Sequence, residues 1–544
     1  MKSVHFKDWV TGWHWGVRIA LFLLLLSALS QLGMFVLTQN YMVGYLGAQP
    51  EDISFAVMCT YAGIITVIPL QFRFFRYFQA QTYLLGSLIA AVVLNGLCIY
   101  CRDINLFLLI RFFQGVLTGN VLVFTLLLIF TRLPSERVKI IAPAVFYGTI
   151  LSNTVVIGLV AGLVVESSDW KVSYYYLIFF QLLMIIVVLL MLKRTSAGKR
   201  YPLYQIDWSG MIIFACTALS LGYTIIYGSK YYWFSDGRII YGTIATIAGG
   251  GMFLYRQHIL KRPVIALKVF RSRSFLIGVS LLAIYYGSKD SINLIYNYAT
   301  GVLKWTTLEV MELGLCNVLG MVGLLIVSIR LLLAQRVKLK ILFICGFALM
   351  GSVNIWMSFF LTPDLSFSDI IFPVLLQGAA SGLLFVPLMI FVLSSAPADT
   401  GSTGLLVAAC TRFTATLNSF AGFYNLQLYF NQKFREGFLG YLTPENQNMA
   451  ERLTFYRGLY ASKGFSSEQA SALANSAIWQ NLNQQAQLLT NRAVFMVFGV
   501  VLLSISVVLV FIPAIGKSCT WGKTRINISR LKGKSATDLS FQKI

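Results

Sequence analysis

Apolar residues in this chain neither alternate nor recur every third or fourth position. They run in blocks of about twenty, separated by short polar or basic breaks. A hydrocarbon layer of about 30 Å is crossed by about 20 helical residues rising ~1.5 Å each. In lipid the backbone must satisfy its own hydrogen bonds, so each block predicts a membrane-spanning helix, and no block shows the two-residue alternation of a barrel strand. The blocks fall near 19–40, 54–71, 82–101, 104–130, 138–165 and 170–192, then near 208–228 and 239–255. A third group follows near 274–298, 309–332, 340–361, 367–395, 402–425 and 493–513. The pattern predicts an all-α polytopic membrane protein with fourteen spans in the order six, two, six.

One span is written twice. LLIRFFQGVLTGNVLVFTLLLIFTRLP, residues 108–134, returns from 375 as LLQGAASGLLFVPLMIFVLSSAP. Gln114, Gly115, Gly119 and Pro134 reappear 263 positions later as Gln377, Gly378, Gly382 and Pro397, so two related bundles are expected. The chain divides into an interfacial N-terminus (1–18), a first bundle (19–200), an inserted helix pair with basic connectors (201–260), a second bundle (261–513) and a basic tail (514–544). Within the second bundle a Gln- and Asn-rich outer loop, 426–491, with a capping-box start at Ser466 to Gln469 and a helical pattern running into the last span, reads as a solvated spacer or as a docking surface for another protein.

Composition agrees: 57% apolar and 12% charged residues, with a mean hydropathy of +0.74, leave too little polar surface to coat a soluble globule. The net charge of +23 sits largely in alternate connectors and the tail, which makes it a topology signal and argues against a nucleic-acid partner. It places both termini on the cytoplasmic side of a cell (inner) membrane, with the tail against anionic lipid. Cys98 and Cys101 form a CxxC without a second pair, so packing is the expected role. His5, His14 and His258 lie outside the spans, and no metal site is expected. FIPAIGKS and ISRLKGKS lack the first glycine of a phosphate-cradling loop, and no catalytic dyad appears. The chain is not expected to be an enzyme or to hold a cofactor.

Several segments together resemble the major facilitator superfamily, in particular its fourteen-helix drug:proton antiporters of the EmrB/QacA type. RFFQGVLTG (Arg111 to Gly119) is similar to the fourth-helix motif, QIDWSG to the start of the first inserted helix, and RPVIALKVFRSRSFLIG to the approach to the second bundle. QGAASGLLFVPL, which contains Pro387, and CTRFTATLNSFAG, which contains Arg412, resemble later motifs of that branch. Two departures stand out: Gln31 occupies the place of the first-helix aspartate, and PLQFRFFRYFQAQTY replaces the charged inner loop, with Phe72 at its glycine and Phe75 at its aspartate. The resemblance implies export of amphiphilic or drug-like small molecules by proton antiport, with a periplasmic adaptor and an outer-membrane channel as partners. Two alternatives stay open: a facilitator or exporter of an endogenous lipid, peptide or metabolite without obligatory coupling, and a transport-dead receptor or scaffold.

An ionisable residue inside a span costs roughly 2.5–3.5 kcal/mol on insertion scales and is a functional candidate by default. Asp290 lies about 16 residues, ~24 Å, along the ninth span, with Tyr286, Asn293 and Asn297 on its helical face. It is a candidate for proton coupling, with the competing reading that Lys289 snorkels outward and carries the pair to the interface. Arg111 is the second coupling candidate, about 10 Å inside its span, or else an arginine bound to a neighbouring helix end. Gln31, Met34, Gln114, Asn153, Tyr286, Asn293 and Asn317 are candidates for the substrate cavity. Gly115, Gly119, Gly378, Gly382, Pro387 and Arg412 are read as packing and gating positions, with Arg412 as an anchor near the cytoplasm.

Overall fold

The computed structural model describes residues 5–132, 135–167, 169–194, 203–260, 263–334, 337–397, 400, 403–443 and 445–512. The basic tail 514–544 and residues 195–202 of the first connector lie outside them. In chain order the helices are α1 Asp8–Thr11, α2 His14–Leu46, α3 Pro50–Tyr77, α4 Ala80–Tyr100, α5 Ile104–Arg132, α6 Ser135–Ser167 and α7 Val172–Met191. Then come α8 Trp208–Tyr227, α9 Gly237–Ile259, α10 Arg273–Lys289, α11 Ile292–Gly301, α12 Thr307–Leu333, α13 Leu339–Phe360 and α14 Phe367–Ser395. The last four are α15 Thr403–Leu417, α16 Phe423–Leu439, α17 Gln447–Ser462 and α18 Ser467–Phe511.

Eleven of the described helices are each long and apolar enough to cross a membrane. The other three crossings are those the sequence dilutes or breaks. In α9 the run Gly249–Gly251 and the flanking Arg238 and Arg256 lower the hydropathy. The ninth crossing stops at Asp290, the C-cap of α10, and restarts as α11, so the continuous helix expected over 274–298 is corrected. The thirteenth passes through a π turn at Asn418–Gly422 into α16. The face carrying the basic connectors is called the basic face below.

The two bundles repeat one packing device. A Cβ on Gly115 would overlap the Thr60 carbonyl, and one on Gly63 the Phe112 carbonyl, so α3 and α5 touch backbone to backbone. In the second half, Gly378 meets the Asn317 carbonyl, Gly382 that of Met321 and Gly320 that of Leu375, which brings α12 against α14 in the same way. Small residues permit such approach in lipid, where no hydrophobic force drives helices together. Pro387 lacks the N–H that would bond the Leu383 carbonyl; Ser328 of α12 donates to it at 3.3 Å instead. Asn317 likewise spans the pair, donating to the Val374 carbonyl at 2.9 Å.

The inserted α8–α9 hairpin packs on α3. Asp207 caps α8 by accepting from the Gly210 amide at 3.0 Å, and it pairs with Arg256 of α9 at 2.8 Å. At the other end Tyr227 donates to Asp52 and Ser229 to Asn425, tying the hairpin to both bundles.

The N-terminus is a strap rather than a free interfacial helix. Phe6 bridges Leu192, the Lys7 amide donates to the Met191 carbonyl at 3.0 Å and the Lys193 amide to that of His5 at 2.9 Å. This places buried His5 5.2 Å from the Phe75 ring, in an aromatic cluster with Phe74, Phe78, Tyr83 and Phe124. That cluster fills the loop where the resemblance implies charged residues.

The segment 426–491 is mostly helical. It is built from α16, α17 and the first half of α18, whose Ala470, Ala474, Ile478, Leu482 and Ala486 are buried. The i, i+4 spacing of these residues gives α18 an apolar stripe for its two partners to cover. Arg492 caps the end of α13, donating to the Leu361 carbonyl at 3.0 Å; Gln484 reaches the Val302 carbonyl and Leu488 is buried in the bundle, so only residues 467–483 project beyond it.

Candidate functional site

The break in the ninth crossing places chemistry where the bundles meet. Gly287, Ser288, Asp290 and Ser291 bring small and hydrogen-bonding side chains into one turn. Ser288 bonds back to the Ile284 carbonyl at 2.7 Å, a competitor of the helical ladder. Gln377 of α14 then donates to the Ser291 hydroxyl at 2.8 Å and holds the break.

At this point the Asp290 carboxylate faces the Arg412 guanidinium at 3.7 Å and accepts from Ser419 in the π turn of the thirteenth crossing. Arg412 lies over the Tyr286 ring at 4.8 Å, and Tyr61 of α3 reaches the same guanidinium from the first bundle. Arg412 is therefore the partner of Asp290 at the bundle junction, which corrects the reading of it as an anchor near the cytoplasm. The structure does not send Lys289 to the interface either: its ammonium lies 5.5 Å from the Tyr147 ring centre. Asn293 and Asn297 are exposed on α11, separated from Asp290 by the break, so the single polar stripe expected from sequence is interrupted.

Beside the pair, at mid-depth, the bundles are sealed to each other. The Tyr147 hydroxyl is 3.1 Å from those of Tyr285 and Ser381, which are themselves 2.8 Å apart, and the Tyr147 ring stacks on Phe385 at 3.9 Å. Toward the basic face Ala144 and Phe146 continue the contact with the second bundle's core.

The remaining candidates lie elsewhere. Gln31 is buried inside the first bundle, joined to Asn95 by paired 2.8 Å bonds and accepting from Gln181 at 2.7 Å. Gln114 donates to Asn95 at 3.0 Å and accepts from Arg111 at 2.8 Å. Both are therefore members of a network within one bundle, with their amide groups already engaged. Asn153 bonds Ser30 at 2.8 Å and ties α6 to α2, and Met34 packs with Val160, Val164 and Leu177. Sequence reasoning missed Tyr61, Tyr147, Tyr285, Ser381 and Ser419, which look like ordinary membrane residues. It also missed Asn95 and Gln181, although a lone amide in an apolar span was a usable signal. Among the described residues no cluster of His, Cys, Asp and Glu suits a metal ion.

The Major Facilitator Superfamily model matches residues 19–417. Two relatives from Escherichia coli K12 are the probable multidrug resistance protein EmrY and the multidrug export protein EmrB. The first is 19% identical over 65% of this chain and 68% of its own, the second 22% over 61% and 64%. The matches thus span about two thirds of these relatives. Among solved structures, a POT family transporter in complex with a thioalcohol conjugated peptide superposes with a TM-score of 0.58, at 14% identity, over 92% of this chain and 96% of its own. At that identity the likeness shows the fold alone.

Proposed function

Because the chain belongs to the Major Facilitator Superfamily, we propose that it is a secondary exporter of amphiphilic small molecules, working by alternating access and proton antiport. The observation that supports this most directly is the Asp290–Arg412 pair at the broken ninth crossing. While Asp290 is ionised it holds Arg412, and through Tyr61 the arginine joins α15 to α3. A proton arriving from the outer face neutralises the carboxylate and removes that attraction. The π turn and the α10–α11 break are the local irregularities that let the two crossings shift without unwinding. The Tyr147 seal opens and closes the passage on the basic face, which in this reading is the cytoplasmic face of an inner membrane.

The multidrug names of the relatives support the cargo class. The outer three-helix extension is the element that a periplasmic adaptor, leading to an outer-membrane channel, would hold. A second reading, export of an endogenous lipid, peptide or metabolite without coupling, is favoured by Gln31, whose engaged amide cannot carry a proton as an acid would.

Reconstituted vesicles with an imposed pH gradient test this. Export of a fluorescent amphiphile is expected to collapse when the gradient is dissipated and to lose its gradient response in Asp290→Asn. An unchanged response in Asp290→Asn removes the residue from the mechanism, and export indifferent to the gradient leaves the second reading.

A further inference from the structure

Arg111 is 1% exposed and enters the first bundle from α5. One of its nitrogens, Nη1, donates to Gln114, and the guanidinium carbon lies 4.0 Å from the centre of the Phe35 ring. Nε and Nη2 have no hydrogen-bond partner. Among the described residues Arg111 makes no ion pair with a carboxylate. The amides around it cannot stand in for one, because Gln31, Asn95 and Gln181 satisfy one another. A buried guanidinium without a counter-charge is costly and calls for an anion.

The two unpartnered nitrogens form the side-on edge of the guanidinium, the fork that takes a carboxylate through two parallel bonds. Arg111 lines a closed crevice together with Gln31, Met34, Phe35, Ser173, Tyr174 and Leu177, too narrow here to admit a water molecule. The Ser173 hydroxyl on its wall is buried and also without a partner. Met34 and Leu177 on its wall belong to a packed apolar cluster with Val160 and Val164. One end of the crevice is cationic and the other greasy.

We propose that Arg111 and Ser173 seat the carboxylate of an amphiphile whose hydrocarbon part lies along Met34, Leu177, Val160 and Val164. Loading requires α2 and α7 to part, since the crevice is shut. That the bound amphiphile is cargo rests on the exporter reading; the seat itself does not.

The test uses the full chain in nanodiscs of zwitterionic phospholipid, with the thermal unfolding midpoint as readout. Laurate is expected to raise the midpoint, whereas dodecanol, dodecylamine and acetate at equal concentration are not. Arg111→Gln is expected to weaken laurate at least tenfold, and Arg111→Lys, which keeps the charge and loses the fork, to weaken it less. Where Arg111→Gln fails to fold, Ser173→Ala and the crevice-filling Leu177→Trp carry the test, and each is expected to reduce the laurate shift. An equal response to dodecanol, an equal response to acetate, or a laurate shift untouched by these substitutions overturns the proposal. Vesicle transport separates the two readings. Laurate that binds through Arg111 while no amphiphile is exported keeps the seat and removes the exporter, while amphiphile export without laurate binding removes the seat alone.

Discussion

Removing either partner of the Asp290–Arg412 pair leaves a charge stranded at the bundle junction, and the size of the effect follows from the geometry. At 3.7 Å and an effective dielectric of about 20 the attraction is about 4 kcal/mol, offset by the desolvation of both groups. Their side chains are 14% and 29% exposed, so water still reaches them and the loss on breaking the pair belongs at the low end of the range for buried pairs, about 3 kcal/mol. Asp290→Asn and Arg412→Gln are each expected to cost about that much. The double substitution, which strands no charge, is expected to cost clearly less than the two singles together, with a coupling of about 2 kcal/mol. Unfolding of the four proteins by denaturant in one detergent, followed by tryptophan emission, closes the cycle. Strict additivity would show that the two groups do not sense each other and would refute the pairing on which the coupling mechanism depends.

Three further outcomes follow from the packing and the connectors. Gly378→Ala is expected to destabilise the second bundle by about 2 kcal/mol through overpacking against the Asn317 carbonyl, while Gly323→Ala, where a Cβ meets nothing, is neutral or stabilising by thermal unfolding. Burial pushes the Asp207 carboxyl up, but the Gly210 amide and Arg256 outweigh it and hold it below the usual carboxylate range. Its stabilisation is therefore present above pH ~3.9 and lost as pH falls through the lower native value, and Asp207→Ala removes that dependence at a cost of about 2 kcal/mol at neutral pH. Burial lowers the His5 pKa, so the strap is fully stable above pH ~6.5 and loosens as pH falls toward the native value. Amide exchange at Lys7 and Lys193 is expected to be faster at pH 5.5 than the intrinsic rate predicts, and His5→Phe to abolish the difference.

The crossings, their order and the twofold repeat were legible because length and hydropathy are forced by the bilayer. The glycines of the repeat were legible as packing positions, yet their counterparts Gly63 and Gly320 were not, since neither belongs to a written motif. The ninth-crossing break lies at Gly287–Ser291, GSKDS, a polar run that was read as part of one helical face because a 3.6-residue period places Tyr286, Asp290, Asn293 and Asn297 together. The Ser419 hydroxyl that Asp290 accepts from depends on a π turn, which shifts it by a fraction of a turn that no periodicity records. Arg111 was singled out by its charge, but the lack of a carboxylate opposite it is a three-dimensional fact. In the outer segment the helix running into the last span was legible from its capping box at Ser466 to Gln469, whereas the alanine-rich stripe that its partners cover was not, because a face of small residues looks polar beside so many glutamines and asparagines.

The last helix links events on one side of the membrane to the other. From Ser467 to Phe511 it is unbroken, and the part preceding Gln484 stands out from the bundle by about 25 Å at ~1.5 Å per residue. Each degree by which the second bundle tilted would swing that tip through about 0.4 Å, given the same rise per residue. A tilt of a few degrees that scarcely shifts the groups near Asp290 becomes a displacement of about 2 Å at the far end, so a fluorophore at that tip paired with one on the first bundle would report such a tilt without touching the Asp290–Arg412 pair.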